Sequence, residues 1–185
     1  MHSISAVELL AREAGALALG HFKALGSVPV ESKGHLDLVT AADQDVERFL
    51  TEGLVKIFPN DGIFGEEGAA HQGNSGRTWV IDPIDGTFNF VRGGDQWAIS
   101  IGLYESAQPI FGVIFVPLRE QLLVGGVGLQ STLNGELIAQ RSGLDTSRAS
   151  CGVGFHPIIP VDLRLETLRF VIQDAGMSFR CCGSA

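Results

Sequence analysis

Two carboxylates three residues apart, followed at once by a glycine and a hydroxyl, mark the stretch Asp82-Pro83-Ile84-Asp85-Gly86-Thr87. Acids this close repel one another, so both stay ionised only where a counter-charge sits beside them. Two further pairs lie upstream, Asp37 with Asp43 and Glu66 with Glu67. A single acid pair at an element end ordinarily caps a helix or faces water. Three pairs flanked by apolar runs, with no equal number of Lys or Arg nearby, need other compensation. The donors are all oxygen and no His or Cys has ligand spacing, which suits Mg2+ or Mn2+ better than zinc.

The elements that must position these acids are legible from periodicity. Trp79 to Ile81 is a continuous apolar run and predicts a short buried strand, which Pro83 should end because it has no N–H to donate. Asp82 and Asp85 then lie at the strand's carboxyl end, where open α/β sheets place ligands. Gly86 or Thr87 would open a helix and leave free N–H groups beside them.

Upstream, Val7, Leu10, Ala14, Leu17, Ala18 and His21 recur at helical spacing and predict a helix from Ser3 to about Leu25. Glu31 to His35 reads as a polar loop. Thr40 with Asp43 resembles a cap for a second helix, whose apolar face is Val46, Phe49, Leu50, Leu54 and Ile57. Ile63-Phe64 is a short strand delivering Glu66 and Glu67, and His71 to Gly76 is a polar loop.

From Trp97 to Val116 two β-patterned runs flank Glu105-Ser106-Ala107-Gln108, predicting an antiparallel hairpin. Gln121 to Val124, Gly128 to Thr132 and Glu136 to Ile138 continue the meander, with Asn134-Gly135 as its tight turn. The polar stretch Arg141 to Arg148 is the predicted boundary. It separates an α+β domain, residues 1–140, from a partial α/β domain, residues 141–185. The latter has a strand at Cys151–Phe155, a helix at Val161–Ala175 with Leu165, Leu168, Phe170, Val171 and Ile172 largely inward, and a strand at Met177–Arg180.

Composition narrows the function classes. Of 185 residues, 45% are apolar and 18% charged, as in a globular chain with a sizeable core. A formal net charge of −8, from 21 acids against 13 Lys plus Arg, argues against a nucleic-acid surface. The three cysteines, Cys151, Cys181 and Cys182, lack C-x-x-C spacing, so neither a disulfide framework nor a zinc site is expected and a reducing cytoplasm fits better. No signal-peptide pattern and no apolar run of spanning length is present, so no membrane partner is expected.

Three segments in order, Asp37-Leu38-Val39-Thr40-Ala41-Ala42-Asp43, Gly65-Glu66-Glu67 and Asp82-Pro83-Ile84-Asp85-Gly86-Thr87 with Asn89-Phe90, resemble the motifs of the inositol monophosphatase family. The resemblance implies a layered αβαβα sandwich of the sugar-phosphatase type and an Mg2+-dependent, Li+-inhibited phosphomonoesterase using two or three ions, with Mn2+ as a substitute. It implies that Glu66, Asp82 and the Ile84 carbonyl hold a first metal, and Asp82 and Asp85 a second. Thr87 paired with Asp43 would orient and deprotonate the attacking water, with Glu67 in support. Gly86 and Thr87 N–H groups would hold phosphate, and Gly183-Ser184-Ala185 would contact the sugar-alcohol. The expected substrate is inositol monophosphate or a related small phosphate ester; fructose 1,6-bisphosphate, histidinol phosphate and a 3′-phosphonucleotide remain open. The resemblance also implies a homodimer.

Two departures qualify that expectation. The family's later Trp-Asp motif, which completes the second metal site, is absent from the chain, so the second domain is expected to be incomplete. A truncated, non-catalytic relative that binds metal or phosphate is the alternative. Phe88 stands where many relatives have a small residue.

Overall fold

Alanines and branched residues at helical spacing give the first element its packing face. In α1, His2–Lys23, Val7, Ala11, Ala14 and Ala18 are buried, and their small size lets the helix lie close to its neighbours. The computed structural model describes residues 2–24, 30–33, 37–139, 148–155 and 158–181, so Leu25, the expected helix end, lies outside the described residues. The chain divides into two compact units, Met1–Ile138 with Ala185, and Ala139–Ser184.

In the first unit a hairpin follows α1. Strands β1, Val30–Lys33, and β2, Asp37–Thr40, pair antiparallel from Val30↔Thr40 to Lys33↔Asp37. This corrects the polar-loop expectation for Glu31–Lys33; Gly34 and His35, the rest of that expected loop, lie outside the described residues. Backbone pairing with Asp37–Thr40 overrides a composition that carries no strand pattern of its own. Helix α2, Ala41–Ile57, comes directly afterwards, with Ala42, Val46, Leu50 and Leu54 fully buried.

The sheet is built from β3 (Gly62–Gly65), β4 (Ala70–His71), β5 (Arg77–Asp85), β6 (Ala98–Glu105), β7 (Gln108–Val116), β8 (Gln121–Gly126), β9 (Leu129–Leu133) and β10 (Glu136–Leu137). A one-turn helix α3, Thr87–Phe90, interrupts the run after β5. The eight strands are ordered β10-β9-β8-β7-β6-β5-β3-β4, and every pair is antiparallel except β3 with β5. Asn134 (φ 51) and Gly135 (φ 83) both take positive φ between β9 and β10, as a primed hairpin turn demands. Helices α1 and α2 share one apolar core with Trp79 and Ile81 of β5, Ile99 and Ile101 of β6, and Val113 of β7. The fold is mixed α+β with a large central sheet.

Strand β5 runs through Pro83, which was expected to end it. The register explains why. Asp82 opposes Ser100 and Asp85 opposes Ala98, so Pro83 and Ile84 together face the single residue Ile99. The missing N–H of proline falls in this bulge, where the ladder is already interrupted.

A buried carboxylate anchors the start of β5. Asp61, just before β3, accepts from Trp79 Nε1 at 3.0 Å and from Arg77 Nη2 at 3.2 Å. Asp61 is 2% exposed, and those donors compensate its burial.

The second unit contains β11 (Ser150–Val153), α4 (Val161–Arg169) continuing into a wider π-type turn at Phe170–Asp174, and β12 (Ser178–Cys181). The two strands pair parallel, Ser150↔Ser178 through Val153↔Cys181. Of the helix residues expected inward, Val171 is buried, but Leu165, Phe170 and Ile172 are exposed. Helical spacing identifies an apolar stripe, but burial needs a covering layer. A helix on a two-stranded ladder has too little of one.

Candidate active site

Parallel pairing of β3 with β5 brings the second acidic segment to the third. The register ends at Gly65↔Ile81, and the Glu66 N–H donates to the Ile81 carbonyl at 3.3 Å. Glu66 therefore leaves β3 level with Asp82, although its side chain is largely exposed. Regular strand geometry would put Asp82 and Asp85 on opposite faces, because side chains alternate. The bulge adds one residue and restores the parity: their partners Ser100 and Ala98 are two apart on β6 and share a face.

Gly86 then turns the chain. It is the residue before α3, with φ 99 and ψ 33, a left-handed conformation in which a Cβ is strained. Thr87 follows as the first helical residue, and its hydroxyl does not cap the helix. Oγ1 lies 3.0 Å from the Ile84 carbonyl oxygen and 3.3 Å from Asp43 Oδ1. One hydroxyl proton faces two acceptors, so it serves either at a time. Asp43 comes from the first turn of α2 and is 1% exposed. The helix itself is pinned by Phe90, fully buried with its ring centroid 4.9 Å from that of Trp97, and by Asn89 Nδ2 donating to the Gln96 carbonyl at 2.8 Å. Phe88 is 46% exposed, and the Arg92 guanidinium stacks over its ring at 3.6 Å.

Electrostatics single out Asp82. Burial pushes its carboxyl up to about 9, aided by the charges of Glu66 and Asp85, a hydrogen bond with Glu66 and the charge of Asp43. Its Oδ1 is buried and has no hydrogen-bond partner. A buried carboxylate oxygen in that condition takes up a proton or a cation. The surrounding donors, Glu66, Asp85 and the Ile84 carbonyl, are hard oxygen groups of the kind Mg2+ accepts. Of these, Glu66 and Asp85 act on Asp82 electrostatically without closing a cage: among the described residues no three His, Cys, Asp or Glu side chains form a ready metal site. The donor set thus fits Mg2+ in chemistry and is brought together by strand register.

Of the other residues singled out by sequence, Glu67 is half-buried in the loop after Glu66, and Asp37 begins β2. Gly183, Ser184 and Ala185 lie outside the described residues. One residue escaped sequence reasoning. Glu47 is 5% exposed, and its carboxylate accepts from the N–H groups of Glu67 and Ala69. The available signal was its place among Asp43, Val46 and Leu50 on the inward face of α2, where an unpaired acid is out of character. Among the described residues no helix is long and apolar enough to cross a membrane.

Comparison with known proteins gives a consistent relationship. The model of the inositol monophosphatase family matches residues 2–185. The Nus factor SuhB of Xylella fastidiosa is 37% identical over 147 residues, covering 80% of this chain and 53% of that protein. A fructose-1,6-bisphosphatase/inositol-1-monophosphatase of Aquifex aeolicus is 34% identical over 126 residues, covering 68% and 48%. The chain thus spans about half the length of these two relatives. Among solved structures, the extragenic suppressor protein suhB of Bartonella henselae superposes with a TM-score of 0.91 at 25% identity, over 100% of this chain and 72% of that one.

Proposed function

The chain belongs to the inositol monophosphatase family, and on that premise we propose that it carries the site of an Mg2+-dependent phosphomonoesterase. The substrate class is a small phosphate ester, an inositol monophosphate or a related sugar-type phosphate. The reading rests above all on the hydrogen bond from Thr87 to buried Asp43 beside the Asp82–Asp85 bulge.

Phosphate monoesters hydrolyse very slowly unaided, so catalysis must come from positioning and charge stabilisation. Bound Mg2+ would supply a Lewis acid that acidifies water and offsets charge on the phosphoryl and leaving oxygens. Glu66, Asp82, Asp85 and the Ile84 carbonyl are the groups that would hold it. Thr87 alone is a weak base. With its proton donated to Asp43 Oδ1, Oγ1 keeps its lone pairs to accept from the attacking water, and the charge of Asp43 strengthens that acceptor. Glu67 supports from the adjoining loop. The Gly86 and Thr87 N–H groups would bind phosphate oxygens. Because α3 is a single turn, any phosphate binding there rests on individual N–H groups, with little help from a helix dipole.

The test is phosphate release from inositol 1-phosphate and fructose 1,6-bisphosphate, with Mg2+ and with chelator, against Thr87→Ala. Mg2+-dependent turnover that the variant loses supports the proposal. Turnover equal to that of the variant on every substrate overturns it for this chain.

A further inference from the structure

Glu47 holds the loop that carries the proposed metal ligand Glu66. It lies one turn beyond Asp43 on α2, so the two carboxylates share a helix face. Its Oε2 accepts from the Glu67 N–H at 2.7 Å and its Oε1 from the Ala69 N–H at 2.9 Å, across the turn at Gly68, whose φ is 109. Gly65 closes the same loop, its N–H donating to the Ala69 carbonyl at 2.7 Å. A Cβ on Gly65 would collide with Glu47 Oε2 and Cδ, so the glycine is what admits the carboxylate.

A carboxylate this buried is costly unless its oxygens are bonded, and here both bonds go to the backbone of the acidic loop. We infer that Glu47 is a positioning residue: it ties the Glu66–Glu67 loop to α2 and so sets Glu66 relative to Asp82. The inference rests on the metal role proposed for Glu66. Glu47 touches neither metal nor substrate; it acts through the loop backbone. Outer residues that orient metal ligands typically govern affinity by ten- to a hundredfold.

Two measurements on the full chain separate this role from the premise beneath it. The first is Mg2+ affinity by calorimetry for wild type, Glu47→Gln, Glu66→Ala and the double variant. Glu47→Gln retains one acceptor oxygen and should weaken Mg2+ roughly tenfold, with no further loss in the Glu66→Ala background. Losses that simply multiply, or wild-type affinity in Glu47→Gln beside a weakened Glu66→Ala, overturn the role of Glu47. Wild-type affinity in Glu66→Ala sinks the metal reading and the inference with it.

The second measurement needs no metal. Amide exchange at Glu67 and Ala69 should quicken in Glu47→Gln while the β5 and β6 amides stay protected; unchanged exchange overturns the clamp itself. Should Glu47→Gln not fold, Gly65→Ala dislodges the same contact from the loop side. It must reproduce the roughly tenfold loss, and wild-type affinity there overturns the inference.

Discussion

Thr87 Oγ1 lies 3.3 Å from Asp43 Oδ1, joining residues 44 apart in the chain at the junction of α2, β5 and α3. The pair mixes a half-buried hydroxyl with a fully buried acid, so the acid's orientation is fixed by the helix and the hydroxyl's by the Gly86 turn. That relationship sets the first prediction. Thr87→Ala should lower the rate of phosphate release by roughly a hundredfold or more, while Thr87→Ser keeps most of it. Far-UV dichroism of both should match wild type. Wild-type turnover by Thr87→Ala would remove the hydroxyl from the chemistry.

Asp82 gives a pH prediction with a definite sign. Its carboxyl is raised from 3.8 to about 9 in the folded chain. Between those values the folded state holds a proton that the unfolded state has lost, so stability is full below the lower value and falls as pH rises through the window. The slope is at most roughly 1.4 kcal/mol per pH unit. Chelator-treated protein should therefore melt at a lower temperature at pH about 8 than at pH about 5, and Asp82→Asn should flatten the difference. Added Mg2+ should raise the melting temperature more at the higher pH, where the carboxylate is needed. Equal pH slopes for wild type and Asp82→Asn would refute this.

Asp61→Ala should destabilise by about 3 kcal/mol, since it strands the buried indole N–H of Trp79 and removes the carboxylate from Arg77. Urea unfolding followed by tryptophan fluorescence would measure it. A loss below about 1 kcal/mol would show that water replaces the carboxylate at no cost.

Gly86→Ala forces a side chain into a left-handed backbone, which costs about 1–2 kcal/mol. The larger effect is expected on turnover, because Thr87 is positioned by that same turn. Thermal melting and phosphate release should show a modest loss of stability and a disproportionate loss of rate. Parallel losses would mean that the turn serves folding alone.

Much of the framework can be read from particular residues. The inward stripe Val46, Leu50 and Leu54 predicts α2, and Asn134-Gly135 predicts its hairpin turn, because both signals are local. Pro83 shows where local reasoning stops: a proline argues against a continuing strand unless the partner's register supplies a bulge. The α4 stripe shows the same limit in reverse, since Leu165, Phe170 and Ile172 have the spacing for burial and remain exposed.

By itself the sequence determined the chemistry on offer: hard oxygen donors in three short segments, a hydroxyl after Gly86, and the periodicities that make helices and strands. Those depend on residue type and near neighbours. Tertiary structure alone decided that Asp82 and Asp85 share a face, that Glu66 emerges level with Asp82, and that Glu47 is spent on the Glu66–Glu67 loop. Each of these follows from pairing between distant segments, where a single extra residue in a ladder reverses which side chains meet.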